Sequence, residues 1–309
     1  MSLKRGLVIG CGGTLGGAWT IAALKALSNH LDWDPRTADL LQGTSAGAEL
    51  VTMIGSGVSV DDLVAMQRGT AQDPRLRAHL AATPGMLPPL PRPKLGSALL
   101  PLRASGLVGL SGLAPVGAGD PTWLQRLADS FAPGGGWVSH KNTRLVAVNY
   151  RTGERVAFGA PGSPSASIGE ALRASWGIPG WFPPVEIGGS SYVDGGVAST
   201  ASLDLVADAG LDEVIVVVSM ASLSSGSAPG PIGAAEWLLR RRMTATLRKE
   251  IAVVEQTGTR VVVVDVTAED LAVMGGNFMD HRRRSDVFEY SMSALAERVT
   301  SISMSGVTA

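Results

Sequence analysis

Short apolar runs typical of buried strands alternate with segments of helical periodicity over the first 68 residues. Residues 6–10 (GLVIG) predict a strand, and apolar side chains at helical spacing over 15–27 predict a helix that stops at Asn29. Residues 38–42 predict a second strand, and 46–54 predict a second helix. Parallel strands need such crossover helices, which cover the faces of the sheet. The alternation therefore predicts an α/β fold around a parallel sheet.

The same pattern returns in the second half of the chain. The predicted strands there cover 144–150, 155–158, 214–220 and 260–266, with a hairpin at Thr152-Gly153 between the first two. The predicted helices cover 167–176, 234–256 and 286–300. Because no internal repeat is evident, a single α/β domain over residues 1–309 is the simplest account.

Residues 69–136 have a different character. They are rich in Pro, Gly and Leu, and they show no sustained period of a helix or a strand. Long irregular insertions in compact domains are usually lids, binding loops or disordered segments, and the leucine and methionine content argues against disorder. We therefore expect residues 69–136 to form a lid inserted into the domain.

Composition restricts the classes of protein to consider. Of 309 residues, 45% are hydrophobic and 17% are charged, and the formal net charge of −1 lacks the basic excess expected for nucleic-acid binding. Cys11 is the single cysteine, which excludes an internal disulfide and a cysteine-based metal cluster. We find no signal peptide and no uncharged apolar run of about 18 residues that predicts a membrane helix. We expect a cytoplasmic protein without a metal or an organic cofactor.

The sequence GTSAG at residues 43–47 places Ser45 between two glycines at a predicted strand-to-helix junction. In the pattern G-x-S-x-G, the serine is exposed on a tight turn, and the glycines permit close backbone approach. A serine hydroxyl needs such exposure, and a nearby base, to act as a nucleophile. The start of the following helix also offers backbone amides to an oxyanion. Small residues in a crowded turn would give the same pattern without any function.

A second glycine-rich stretch, GCGGTLGG at residues 10–17, also joins a predicted strand to a helix. Consecutive backbone amides in such a loop can hold a phosphate or a tetrahedral oxyanion. Dinucleotide binding fits less well, because the fingerprint G-x-G-x-x-G requires glycine where Leu15 stands. The second strand also ends without the expected acid, and a Walker lysine is missing.

A third stretch, YVDGG at residues 192–196, alone predicts an ordinary Asp-Gly turn. Together, however, four motifs in chain order resemble the patatin-like phospholipase family. They are G-x-G-G-x-x-G at 10–16, GTSAG at 43–47, ASWGIPGWFPP at 174–184 and DGG at 194–196. The resemblance covers about residues 4–220, apart from the expected lid.

The resemblance implies a three-layer α/β/α sandwich with a mostly parallel central sheet and a Ser–Asp dyad. Ser45 would attack an ester carbonyl, and Asp194 would accept its proton and later activate water. Backbone amides of Gly12 and Gly13, together with Thr14, would form the oxyanion hole. The implied activity is hydrolysis of lipid acyl esters by a serine esterase of the phospholipase type, without a cofactor.

The chain departs from the family pattern in two places. Leu15 stands where the loop of the family usually has Arg or Lys, so a cationic group is absent there and a phospholipid substrate is not required. After the DGG motif the family commonly has Asn and Pro, whereas residues 197–201 here are VASTA. Neither departure removes Ser45 or Asp194.

Two alternatives to the dyad enzyme stay open. Ser45, Asp194 and His281 follow the chain order of an α/β-hydrolase triad. However, His281 lies in the charged run MDHRRRSD, which is more typical of the start of a surface helix. The second alternative is a catalytically silent lipid-binding or scaffold protein with the same fold.

The expected lid contains a stretch, residues 74–119, with five basic side chains and no acid. The basic residues are Arg75, Arg77, Arg92, Lys94 and Arg103. A basic, leucine-rich segment beside an ester-cleaving site is consistent with peripheral contact with a membrane. Equally, leucines can cover the mouth of a pocket while arginines form its solvated rim. We expect a lipid or acyl-ester substrate, and both roles of the lid stay open.

Overall fold

One β-sheet and a set of α-helices make up the part of the chain that the computed structural model describes, residues 3–82, 84–223 and 234–305. The strands are β1 (Arg5–Ile9), β2 (Leu40–Thr44), β3 (Thr143–Asn149), β4 (Arg155–Phe158), β5 (Val185–Ile187), β6 (Ser190–Asp194), β7 (Glu213–Val218) and β8 (Arg260–Asp265). The helices are α1 (Gly13–Leu31), α2 (Ala46–Gly55), α3 (Val60–Gln67), α4 (Pro74–Ala81), α5 (Leu100–Arg103), α6 (Gly106–Ser111), α7 (Thr122–Phe131), α8 (Ile168–Ser175), α9 (Ala234–Glu255), α10 (Ala268–Met274) and α11 (Arg284–Ser305).

Every strand and helix predicted from the apolar patterns is present, with ends that differ by a few residues. The predicted stop at Asn29 is wrong. Helix α1 continues to Leu31 and ends at Asp32, which takes a left-handed φ of +45°. Asp is among the few non-glycine residues that tolerate this conformation, so it serves as the helix stop.

The sheet is mixed and mostly parallel. Along the order β5-β6-β3-β2-β1-β7-β8, the pairs β3–β2, β2–β1, β1–β7 and β7–β8 are parallel. Strand β6 pairs antiparallel with β3 and β5, and β4 pairs antiparallel with β3, as the predicted hairpin requires.

Strand β3 brings the ends of β2 and β6 together. Val146 of β3 pairs with Thr44 of β2 and with β4, whereas Ala147 pairs with Asp194 of β6 and with β4. Since β4 occupies one edge of β3, strands β2 and β6 share the other edge. They run toward each other along it, and both end at its middle. Ser45, the residue after β2, therefore lies next to Asp194.

Helices cover both faces of the sheet, as the three-layer expectation requires. Alternate residues of the strands point to opposite faces. Leu7 and Ile9 of β1 pack in a core with α1, α2, α8 and α11, whereas Val8 packs with α9 on the other face. The central strands β1, β2, β3 and β7 are nearly fully buried because of this double cover, which explains their apolar sequences.

The prediction that residues 69–136 lack regular structure is wrong at both ends of the segment and at the short helices α5 and α6 in its middle. Helices α4 and α7 lie at the two ends, and Leu76, Trp123 and Leu124 from them are buried in the main core. The apolar positions of α7 have helical spacing, but they lie beside a Pro- and Gly-rich stretch that masks the pattern. The inserted segment (residues 84–119) between these helices is the part that carries the exposed leucines.

The inserted segment is folded back on itself and attached to the sheet. The amide of Arg92 donates to the carbonyl of Val116 at 2.8 Å, so the two arms of the segment run side by side. Leu100 is fully buried against Tyr150, which follows β3. The Tyr150 hydroxyl donates to the Ser111 carbonyl at 2.5 Å. These contacts hold α5 and α6 over the end of the sheet where Ser45 lies.

Candidate active site

Ser45 occupies a strained turn between β2 and α2. Its φ of +56° lies in the left-handed region, which residues other than glycine seldom adopt. A Cβ added to Gly43 would lie 2.3 Å from the Gly47 carbonyl oxygen, and a Cβ added to Gly47 would lie 2.2 Å from that of Ile9. The two glycines therefore permit the close packing of β1, β2 and α2 that forces the turn, as the pattern G-x-S-x-G predicts.

The motif ASWGIPGWFPP holds the backbone at both sequence-predicted catalytic positions. The Ser175 hydroxyl accepts a hydrogen bond from the Ser45 amide at 2.9 Å and donates to the Val146 carbonyl at 2.6 Å. Two residues later, the Gly177 carbonyl accepts a hydrogen bond from the Asp194 amide at 3.1 Å. The motif is evident in the sequence but the role of Ser175 is not, since its only signal is a serine at the end of an amphipathic helix.

Asp194 ends strand β6 and is buried, with 4% of its surface exposed. Its Oδ1 accepts a hydrogen bond from the Gly196 amide at 2.7 Å, and the carboxylate interacts with the Ser45 hydroxyl as a hydrogen-bond acceptor. Burial raises the pKa of Asp194 to about 7, and the two hydrogen bonds oppose that increase. A carboxyl group that titrates near neutral pH is suited to act as a general base there.

The glycine-rich loop leads into the first turn of α1. Gly13 has a φ of +59°, and a Cβ there would lie 2.5 Å from the ring of Phe278. The amide of Leu15 donates to the Phe278 carbonyl at 3.0 Å. The amides of Gly12, Gly13 and Thr14, by contrast, donate to no acceptor in the described residues. They are thus free to bind an anionic oxygen at a helix N-terminus.

Ser45, Asp194, Gly12 and Gly13 line one cavity of about 360 Å³. The walls are mainly apolar and come from the inserted segment, from α9 and from two loops. They include Leu107, Leu110, Ile178, Leu239, Met243 and Phe278. A volume of this size falls at the lower end of small-molecule sites. A second cavity, of about 40 Å³, adjoins Thr14 but contacts neither Ser45 nor Asp194, and its volume suits only a few water molecules.

None of the four histidines lines the larger cavity. His281 is exposed in a short 3₁₀ turn before α11, as expected from its charged surroundings. Histidines 79 and 140 are engaged elsewhere, with Glu49 at 2.7 Å and with the Ala38 carbonyl at 2.7 Å. The geometry gives no support to a triad through His281.

Cys11 borders the cavity but is an unreactive thiol. It is buried with Met220 and Met243, and its Sγ donates to the Thr200 hydroxyl at 3.4 Å. Burial and the nearby Asp194 carboxylate raise the pKa of Cys11 to about 12. The thiolate, which is the nucleophilic form, is therefore disfavoured.

The two departures from the family pattern have simple structural settings. Leu15 is fully buried in the main core, where a cation would be costly. The Ser199 hydroxyl accepts hydrogen bonds from the amides of Ala201 and Ser202, at 3.3 and 2.9 Å, and so braces the turn after the DGG motif. Ser202 takes a φ of +50°, which the ring of proline forbids.

The described residues hold neither a metal-type cluster nor a membrane-spanning helix. Within them, no group of three or more His, Cys, Asp or Glu side chains is arranged to hold a metal ion. No helix in the same residues has both the length and the apolar character needed to cross a membrane.

Comparison with known proteins gives a family. Two solved structures are similar in part: VipD from Legionella pneumophila (16% identity, TM-score 0.43, covering 96% of this chain and 67% of that one) and the type III effector protein ExoU (16% identity, TM-score 0.39, covering 97% and 53%). The chain thus spans about half the length of the ExoU chain. A family model for patatin-like phospholipases matches residues 7–207, about two thirds of the sequence. The chain belongs to the patatin-like phospholipase family.

Proposed function

We propose that the protein hydrolyses carboxylic esters of lipids, with Ser45 as the nucleophile and Asp194 as the general base. One observation carries this proposal: the buried carboxylate of Asp194 interacts with the Ser45 hydroxyl at the wall of an apolar cavity. Beside them lie amides of the glycine loop that donate to no acceptor in the described residues. A nucleophile, a base and oxyanion donors beside one space are the parts that acyl transfer needs.

The first half of the reaction forms an acyl-enzyme. The Asp194 carboxylate takes the hydroxyl proton as Ser45 Oγ attacks the ester carbonyl carbon. The amides of Gly12, Gly13 and Thr14 donate to the tetrahedral oxyanion. When the intermediate collapses, the protonated Asp194 gives its proton to the departing alkoxide, and the alcohol leaves.

The second half restores the enzyme. Asp194 takes a proton from a water molecule, which attacks the acyl carbon of the Ser45 ester. Collapse of this second intermediate releases the fatty acid, and the proton returns to Ser45 Oγ. Each oxyanion donor contributes about 3–4 kcal/mol to such steps. General base catalysis contributes roughly 10²–10⁴-fold in rate, so the amides and the carboxylate are of similar importance.

The cavity indicates the kind of substrate. Its apolar walls suit a hydrocarbon chain, with the ester carbonyl at the Ser45 end. Because the volume of about 360 Å³ is small for a lipid site, it suits one acyl chain and leaves the remainder of the lipid outside. Each buried methylene stabilises the bound chain by about 0.8 kcal/mol.

The inserted segment supports contact with a lipid surface. Leu90 and Leu102 are 92% and 82% exposed, so they do not cover the mouth of the cavity, whereas Leu107 and Leu110 line it. The segment also carries exposed basic side chains, Arg92, Lys94 and Arg103, without an acid. Exposed leucines among cations favour an anionic lipid interface over water.

Hydrolysis of p-nitrophenyl esters and labelling by a fluorophosphonate test the catalytic roles. The wild type is expected to react in both assays, Ser45→Ala in neither, and Asp194→Asn far more slowly. Ser56→Ala, at the other end of α2, is the matched control and should behave as wild type. Labelling that survives loss of Ser45 would refute the nucleophile. A wild type inert toward short and long acyl esters would favour the silent lipid-binding alternative.

Sedimentation with vesicles tests the lipid contact. The wild type should bind phosphatidylglycerol vesicles more strongly than phosphatidylcholine vesicles, and Leu90→Ser with Leu102→Ser should weaken that binding. Leu238→Ser with Val253→Ser, two similarly apolar exposed positions on α9, is the control. Hydrolysis of a water-soluble short-chain ester should be unchanged in both variants. Equal vesicle binding by the wild type and the Leu90/Leu102 variant would contradict the proposed contact.

A further inference from the structure

Residues 199–202, here called the junction loop, follow Asp194 closely and touch the strand that carries Ser45. Gln42 of β2 is fully buried, and its Nε2 donates to the carbonyls of Ala201 at 3.2 Å and Ser202 at 2.9 Å. Gln42 lies in β2, three residues before Ser45, which follows directly after that strand. The position of the junction loop is thus coupled to the position of the nucleophile.

The junction loop also touches the glycine loop. The amide of Cys11 donates to the Thr200 carbonyl at 2.8 Å, and the Cys11 thiol donates to the Thr200 hydroxyl. A Cβ added to Gly10 would lie 2.9 Å from that hydroxyl oxygen, so the two loops are in close contact. One short loop therefore joins the base, the nucleophile strand and the oxyanion amides.

Glu250 of α9 holds the junction loop from the outer side. Its Oε2 accepts a hydrogen bond from the Leu203 amide at 3.0 Å, and the carboxylate also accepts one from the Ser199 hydroxyl. Its Oε1 accepts from Arg155 Nη1 at 2.9 Å. Because the Ser199 hydroxyl donates its proton to Glu250, the lone pairs of its oxygen face the amides of Ala201 and Ser202 and accept hydrogen bonds from them.

Three hydrogen-bond donors converge on the buried carboxyl group of Glu250. Glu250 is 5% exposed, and a glutamine amide in its place would have a single acceptor oxygen with two lone pairs, so it could not accept all three bonds. Burial and the nearby Asp204 raise the pKa of Glu250, while Arg155 and the hydrogen bonds oppose that increase. Arg155 and Asp204 are the charged groups that face it from β4 and from the segment after the junction loop.

We propose that Glu250 is a positioning residue for catalysis, acting through the junction loop on Asp194, on the turn at Ser45 and on the amides of the glycine loop. The inference rests on the proposed function, because it assigns a role within the same reaction. Glu250 contacts neither the cavity nor the reacting groups, and its effect is therefore on geometry. The same helix lines the cavity through Leu239 and Met243, so Glu250 also fixes the register between that wall and the catalytic loops.

Glu250→Gln is the direct test, with p-nitrophenyl esters as substrate and at a temperature well below its thermal midpoint. The expected result is a kcat reduced about 10- to 100-fold with KM within about twofold of wild type, since small displacements of reacting groups cost rates of this order. The rate of fluorophosphonate labelling at Ser45 should fall by a similar factor. Ser199→Ala should give the same signature and serves if Glu250→Gln does not fold.

A double-mutant cycle and two controls separate positioning from simple stabilisation. Ser199→Ala and Glu250→Gln combined should lose little more activity than the worse single variant, because both act through one loop. Glu255→Gln, exposed on the same helix, should behave as wild type. Asp204→Asn removes the other carboxylate partner of Arg155 and should lower the thermal midpoint while kcat is retained.

The outcomes distinguish this inference from the proposed function. A wild type that is active, with a kcat for Glu250→Gln equal to that of the exposed control, would overturn the inference alone. The same holds if Glu250→Gln lowers only the thermal midpoint. An inactive wild type would refute the proposed function. In that case, equal amide hydrogen exchange at residues 195–203 in the wild type and Glu250→Gln would overturn the inference independently.

Discussion

Asp194→Asn should make the folded protein more stable at neutral and alkaline pH although it removes the proposed base. The pKa of Asp194 is about 7 in the folded chain, whereas an unfolded chain gives about 3.9. Between these values the native state holds a proton that the unfolded state has released, so wild-type stability falls as pH rises through this window. At about 1.4 kcal/mol per pH unit, the accumulated cost is about 4 kcal/mol above pH 7.

The asparagine variant avoids this cost without losing the hydrogen bonds. Its Oδ1 can accept from the Gly196 amide, and its Nδ2 can donate to Ser45 Oγ. The gain over wild type should therefore be small near pH 4 and grow to about 4 kcal/mol above pH 7. Unfolding entropy of about 2.1 cal/mol/K per residue over this length converts that into about 6 °C in thermal midpoint.

Thermal and guanidinium unfolding across pH 4 to 9 measure the difference. Asp208→Asn, an exposed carboxylate, is the control and should stay within about 0.5 kcal/mol of wild type. In the same pH series, wild-type kcat/KM should rise through about pH 7 as Asp194 loses its proton, and Asp194→Asn should lose about 10²–10⁴-fold in kcat. Equal midpoints at pH 8, or a stability difference that does not change with pH, would refute the argument from burial.

Three further substitutions test the site. Gly13→Ala should lower both the thermal midpoint and kcat, because it combines a φ of +59° with a Cβ 2.5 Å from an aromatic ring. Gly57→Ala is the control, since its φ is +95° but the added Cβ would meet open space. It should cost only about 1–3 kcal/mol of strain and leave esterase activity intact. Ser175→Ala leaves the buried Ser45 amide without its acceptor and should lower stability by about 1–3 kcal/mol in guanidinium unfolding, with a fall in labelling rate. Met243→Trp should reduce kcat/KM for long-chain p-nitrophenyl esters by about fourfold for each methylene that the larger side chain excludes, and it should spare short-chain esters. An unchanged chain-length profile would place the acyl chain elsewhere.

Much of the fold follows from local sequence patterns. Buried parallel strands such as β7 have uninterrupted apolar sequences because helices cover both faces, and this signal needs no knowledge of partners. The glycines at 43 and 47 were informative for a similar reason. Backbone contacts of 2.2–2.3 Å to an added Cβ exclude other residues, so the motif reports a tight turn directly.

The remainder depends on contacts between distant parts of the chain, which periodicity does not encode. Ser175 became part of the site through a hydrogen bond to a residue 130 positions earlier. The contribution of α9 to the cavity was likewise not predictable from its sequence, since Leu239 and Met243 look like ordinary positions on an amphipathic helix. Helix α7 is a different case, because Trp123, Leu124, Leu127 and Ala128 do have helical spacing and only the flanking Pro- and Gly-rich stretches argued against a helix.

Strands β2 and β6 meet end to end on a single edge of β3, so main-chain pairing sets positions 45 and 194 side by side along the sheet. The walls that would select a substrate come from elsewhere, chiefly α6 and α9. Chimeras that exchange α6, together with Leu239 and Met243 of α9 while Glu250 is kept, should change which ester is accepted while the proposed reactive pair stays in register. Recognition can thus be engineered at the cavity walls while Glu250 and the proposed reactive pair are kept.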